Sequence, residues 1–133
     1  MKFLKQALVL MLVAGLALTA CHKDHNVAVS STQLTVSDTG KTISFTTGQT
    51  FAVTLDNPGD GGYSFNAWQY DASVLKLDSH VHTAPANPNV TGDFGIDTWQ
   101  FTALKSGTTT LQITASRTPQ YTVTMFNTTI AIK

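Results

Sequence analysis

Glutamate is missing from this 133-residue chain; all eight acidic residues are aspartate. Aspartate favours turns and helix caps where glutamate favours helix interiors, so a helical bundle loses one of its commonest building blocks. Cysteine occurs once, at Cys21, which excludes any intrachain disulfide. Charged residues make up only 12% of the chain, and no run of like charge offers a footprint for nucleic acid. Enzyme signatures are lacking too. There is no Gly-x-Ser-x-Gly elbow, no phosphate-binding loop and no zinc spacing, so no catalytic residue and no cofactor is implied. Beyond residue 20 no window carries a helical stripe. What is abundant instead is threonine, with apolar residues at 42%, a composition that leans towards strands.

The first 20 residues read as a signal rather than as fold. Lys2 and Lys5 form a basic start, and residues 7–17 are an unbroken apolar run too short for a confident membrane span. Removing them leaves six basic residues against the eight acidic ones. The cleavage region, Leu18-Thr19-Ala20-Cys21, resembles the lipobox of bacterial lipoproteins, whose cysteine is lipidated and becomes the new N-terminus. That resemblance implies an exported protein anchored to a bacterial membrane through Cys21, since each buried CH₂ adds roughly 0.8 kcal/mol. The same resemblance to Gram-negative lipoproteins, with His22 rather than Asp after the cysteine, implies the outer membrane, on its periplasmic or surface face. Residues 21–32 are polar and small and read as a tether, leaving 33–133 as one domain large enough for its own core.

Within that domain the period is two. Leu34 and Val36 alternate, then Ile43 and Phe45, then Phe51, Val53 and Leu55, with turns at 38–41 and 47–49. Further on come Tyr63, Phe65 and Ala67, a short strand over 74–77, then Trp99, Phe101 and Ala103, and Leu111, Ile113 and Ala115. The last strand places Phe126, Thr128, Ile130 and Ile132 inward. Val123 and Met125 fall on the opposite parity, which predicts a bulge. Between these, residues 78–97 read as a long irregular stretch. Seven or eight strands joined by short connections predict an all-β, immunoglobulin-like antiparallel β-sandwich.

Three segments stand out as exposed loops on this frame. Asn57-Pro58-Gly59-Asp60-Gly61-Gly62-Tyr63 packs three glycines and a proline between two aromatic strands, a loop with a defined shape. Gly92-Asp93-Phe94-Gly95 is framed by glycine, and Arg117-Thr118-Pro119 follows a strand near the C-terminus. An even number of strands separates them, so all three are expected at one end of the sandwich. Two metal readings stay open here. Asp56, Asn57 and Asp60 beside glycines could form a calcium site, although the EF-hand spacing is missing. His80 and His82 share a strand face and could begin a metal site, but no Cys or third His lies near in sequence and surface histidines are the simpler reading.

The set, in this order, resembles the chagasin-like inhibitors of papain-type cysteine peptidases. Their pattern is an Asn-Pro-Thr-Thr-Gly-Tyr/Phe loop, a Gly-x-Gly-Gly loop before Trp-x-Phe-x-Ala, and an Arg-Pro-aromatic loop after a strand such as Leu-x-Ile-x-Ala. Asn57, Pro58, Gly62 and Tyr63 match the first motif, Gly92 and Gly95 the ends of the second, and Arg117 the third. Gly59-Asp60-Gly61 stands where the family has two threonines, one residue longer. Thr118-Pro119-Gln120 stands where proline and an aromatic should follow the arginine. The resemblance implies an inhibitor whose three loops wedge into the cleft of a papain-type peptidase; a monomer is expected, and Asp60, where this sequence departs from the pattern, is expected to approach the catalytic histidine. A surface-lipoprotein adhesion or interaction module with the same fold and no peptidase target is the alternative.

Overall fold

In a computed structural model of the protein, residues 31–118 and 121–133 are described. The signal segment, Cys21 and most of the tether lie outside them, as does Pro119. Eight strands occur among the described residues: β1 (Thr32–Leu34), β2 (Thr42–Phe45), β3 (Thr50–Asp56), β4 (Ser64–Phe65), β5 (Leu75–Thr83), β6 (Ile96–Ala103), β7 (Gly107–Thr118) and β8 (Tyr121–Ile132). They form two four-stranded sheets, ordered β1-β3-β6-β5 and β2-β8-β7-β4. This is the expected all-β sandwich.

The pairing is mixed rather than antiparallel throughout. β1 runs parallel to β3, and β2 parallel to β8, while the remaining pairs are antiparallel. A short connection forces antiparallel pairing only between strands of one sheet. Here β1, β2 and β3 alternate between the sheets, so their short links cross the sandwich and leave the direction free.

Most of the residues expected inward from the alternation are buried, while Ile43, Tyr63 and Phe65 are only partly so and Ala67 is exposed. Phe51, Val53 and Leu55 on β3 face Leu111, Ile113 and Ala115 on β7 and Phe126, Ile130 and Ile132 on β8 across the core, and Trp99, Phe101 and Ala103 complete the β6 contribution. Phe45, Phe51 and Phe101 stack in series, with centroids 4.3 and 5.4 Å apart. Trp68 stands edge-on to Trp99, Phe101 and Phe126 and is partly buried, closing the side of the core that β4 leaves open. Thr128 is buried as expected, and its hydroxyl donates to the Asp38 carbonyl.

Three segments depart from simple alternation. Val36 leaves the strand pattern for a 3-10 turn over Val36–Asp38 and is 63% exposed. The aromatic run after Gly62 pairs only over Ser64–Phe65, with an isolated bridge from Gln69 to Gln112. The stretch expected to be irregular from residue 78 continues as strand through Thr83, and β6 begins at Ile96. A bulge at Asp78 explains why. The register passes from Leu77↔Phe101 to Ser79↔Gln100, so the inward positions change from odd to even numbers and become His80 and His82. In β8 the expected bulge is present: Ile113 pairs with Phe126 and Thr114 with Thr124, leaving Met125 as the extra residue.

Candidate functional site

The 57–63 loop is a single capped turn. Asn57 precedes a 3-10 turn over Pro58–Gly61, and its side-chain oxygen accepts the Gly59 N–H at 2.9 Å. Proline at the first position supplies a φ already suited to the turn. At the other end Gly62 has φ 70°, and its N–H reaches the Gly59 carbonyl at 2.9 Å. Both ends of the loop are therefore hydrogen-bonded internally, and its shape does not depend on a partner.

The 92–95 loop lies directly against it. The Asn57 N–H donates to the Gly95 carbonyl at 2.9 Å, and the Asp93 carboxylate accepts the Gly95 N–H at 2.8 Å. The Phe94 ring covers the Gly59 backbone so closely that a Cβ on Gly59 would fall 2.6 Å from Phe94 Cδ1. Phe94 is nonetheless 48% exposed. The Asp60 carboxylate faces Gly92, whose Cβ position would lie 3.5 Å from it.

Arg117 completes the tip from the other sheet. Its aliphatic stem passes 3.4 Å from where a Gly62 Cβ would stand. Its guanidinium sits between two aromatic rings, 5.8 Å from the Tyr63 centroid and 5.7 Å from the Tyr121 centroid, where a cation is attracted to each ring face. The expected third loop is shorter than its sequence suggests. β7 extends through Arg117 and Thr118, and Thr118 pairs with Tyr121.

Asn57, Pro58, Gly59, Asp60, Gly61, Gly62 and Tyr63 thus form one turn, with Gly92, Asp93, Phe94 and Gly95 on one flank and Arg117 and Thr118 on the other. Beneath them lies a group the loop motifs did not announce. Asp97 on β6 is 3% exposed. Its carboxylate takes the Asn57 side-chain amide at 2.7 Å, His80 Nε2 at 2.6 Å and His82 Nδ1 at 3.2 Å. Burial alone would raise this carboxyl, but the hydrogen bonds from Asn57, His80 and His82 outweigh it and hold it below the usual carboxylate range. His80 also stacks flat on Trp99, centroids 4.6 Å apart.

His80 and His82 lie at the surface as expected, half-exposed, and in addition both rings are held by Asp97. Nothing in the period announced it, because the contact comes from the cross-strand pairing of His82 with Asp97 after the bulge. Tyr121 was likewise unforeseen as a tip residue. It is 55% exposed, and only its position opposite Thr118 brings it beside Arg117. Among the described residues no group of three or more His, Cys, Asp or Glu side chains is placed to hold a metal ion. Of the residues in the calcium reading, Asn57 uses its side-chain oxygen to cap the Gly59 N–H and its amide to bind Asp97, and the Asp60 carboxylate faces Gly92.

Comparison with known proteins agrees with this fold. The solved structure of the cysteine protease inhibitor EhICP2 from Entamoeba histolytica superposes with a TM-score of 0.65 at 21% identity, over 77% of this chain and 95% of that one. Amebosin superposes at 0.62 with 18% identity, over 77% and 98%. These likenesses establish the shared fold. No curated protein matches by sequence. Residues 44–132, two thirds of the chain and all of the tip described above, match the family model described as chagasin family peptidase inhibitor I42. The chain belongs to the chagasin family of peptidase inhibitors.

Proposed function

We propose that the protein reversibly inhibits papain-type cysteine peptidases by seating its three-segment tip in their active-site cleft. The observation that carries this is the convergence of three segments far apart in sequence: Phe94 lies over Gly59, Asp60 faces Gly92, and Arg117 lies along Gly62. Such a peptidase exposes a thiolate and an imidazolium in a groove between two walls. The capped turn over 57–62 is the part of the tip narrow enough to enter the groove, with Phe94 and Arg117–Tyr121 against the walls. Because the turn is internally bonded, little entropy is lost on docking, so an interface of roughly 1,600 Å² becomes tight. A turn of this shape also presents no extended peptide bond for attack, so the inhibitor escapes cleavage and its binding is reversible. Asp60 at the apex approaches the catalytic imidazolium. Tyr63, Phe94, Arg117 and Tyr121 supply aromatic and guanidinium side chains, which dominate the energy of protein interfaces.

Titration of papain and a cathepsin with protein lacking residues 1–20 tests this. Reversible inhibition that is lost when residues 57–63 are replaced by a glycine-serine loop supports it. Silence against a panel of papain-type enzymes refutes it and leaves an interaction module. The same proposal places the domain outside the cytoplasm, held to the outer membrane by a lipidated Cys21 through the 21–32 tether. Incorporation of labelled palmitate that disappears in Cys21→Ser is the expected result, and unlabelled wild-type protein would remove the anchor.

A further inference from the structure

We infer that Asp97 is a positioning residue for the tip: its buried carboxylate holds the Asn57 side chain, and Asn57 in turn fixes the 57–63 and 92–95 loops against each other. Asn57 is bonded to both loops and to the strand beneath. Its oxygen caps Gly59, its backbone N–H reaches the Gly95 carbonyl, and its amide NH₂ reaches Asp97. The orientation of that amide is determined by its partners. A backbone N–H cannot accept and an ionised carboxylate cannot donate, so turning the amide over would lose both bonds. Asp97 is thereby the group that decides which way the cap faces.

The histidines give the clasp a property that space-filling alone would not. The titratable groups facing Asp97 are His80 and His82 from β5. Asp93 of the preceding loop is turned to the Gly95 N–H, and Asp56, paired with Ile96, stands by alternation on the outer face. The opposite sheet contributes Phe65 against Trp99. A carboxylate accepts an N–H from an imidazole whether that ring is neutral or charged. An asparagine at 97 would turn its own NH₂ towards a histidine nitrogen, which is tolerable while the ring can accept. Acidification gives the imidazole a second N–H, and two donors then face each other. The carboxylate therefore keeps the tip ordered over the whole range in which histidines titrate, and the amide would not.

Because the clasped loops are those proposed to enter the peptidase, the consequence for inhibition rests on that proposal, whereas the consequence for loop order does not. Amide hydrogen exchange of Asn57 and Gly59 in the free protein therefore comes first, with Val53 and Phe101 as core controls. In wild-type protein the protection at Asn57 and Gly59, corrected for intrinsic rates, is expected to be equal at pH 7.5 and pH 5. In Asp97→Asn it falls about tenfold at pH 5, the loss of one hydrogen bond to a charged group, with the core controls unchanged. Protection that is the same in both proteins at both pH values overturns the inference, as does a loss shared equally by Val53 and Phe101. Asn57→Ser is the second variant, since serine keeps the cap on Gly59 but is too short to reach Asp97. It is expected to raise the papain inhibition constant about tenfold, and Asp97→Asn in the Asn57→Ser background to add less than about twofold. Additive losses in this cycle would show that Asp97 does not act through Asn57. A wild-type protein that fails to inhibit removes the proposed function and leaves the exchange data to decide the clasp.

Discussion

Replacing Gly95 by alanine separates the strain of a backbone conformation from the crowding of a site. Gly95 has φ +78°, where an L side chain costs roughly 1–2 kcal/mol. Its Cβ would also land 2.1 Å from the Thr83 carbonyl oxygen and 3.1 Å from the Ala84 backbone. These are main-chain atoms at the end of β5, held in register by the pairing of Thr83 with Ile96, so they cannot rotate aside as a side chain would. Either β5 frays at that end or the 92–95 loop moves out. The second course breaks the Asn57–Gly95 hydrogen bond, worth about 1 kcal/mol. The expected destabilisation is about 3 kcal/mol or more, which for a domain of this size lowers Tm by about 12 °C or more. Gly48→Ala is the control: φ is +84° but nothing lies within 4 Å of the added carbon, so only the strain of about 1–2 kcal/mol is felt. Thermal unfolding followed by circular dichroism reads both variants. If Gly95→Ala melted within about 3 °C of Gly48→Ala, the close approach of the second loop to β5 would be wrong, and with it the seating of Phe94 over Gly59.

Other outcomes follow from the same geometry. Asp60→Ala is expected to raise the papain inhibition constant about tenfold with no change in Tm, the worth of one charge-assisted contact; an unchanged constant removes Asp60 from the mechanism. Tyr121→Ala exposes one face of the Arg117 guanidinium and removes an aromatic from the tip, so weaker inhibition by about tenfold is expected in a surface-plasmon titration, again at constant Tm. Phe101→Ala empties the centre of an aromatic stack and is expected to cost about 3–5 kcal/mol in urea unfolding; less than 1 kcal/mol would contradict the core described above. For acid stability, Asp97, Asp38 and Asp78 all titrate below the usual carboxylate range in the folded protein. A depressed folded pKa contributes stability above the unfolded value, about 3.9, that is lost as pH falls through the folded one. The urea midpoint should therefore hold between pH 7 and about 4 and decline below it, and Asp97→Asn should make that decline shallower.

The strands and the inward faces were legible before any coordinates. An alternating Phe51, Val53 and Leu55, or Leu111, Ile113 and Ala115, can bury itself only as one face of a sheet, and each proved buried. Even the fault at Met125 was visible, since Val123 and Met125 broke the parity of their own strand. These are local properties, decided by neighbours two residues away. The first two loop segments were legible for the same reason, because glycine and proline declare backbone shapes directly, whereas Arg117 and Thr118, read as loop, belong to β7.

What the sequence did not decide was everything that depends on which strand lies next to which. A strand's period is silent about direction, so the parallel pairing of β1 with β3 and β2 with β8 emerged only when successive strands were seen to alternate between sheets. The bulge at Asp78 turned His80 and His82 inward, and cross-strand register then set them on Asp97, 17 and 15 residues away. Tyr121 joined the tip by pairing across a hairpin. Alternation is a short-range signal carried by each residue's preference for water or core, while register and sheet order are fixed by closing the whole sandwich at once.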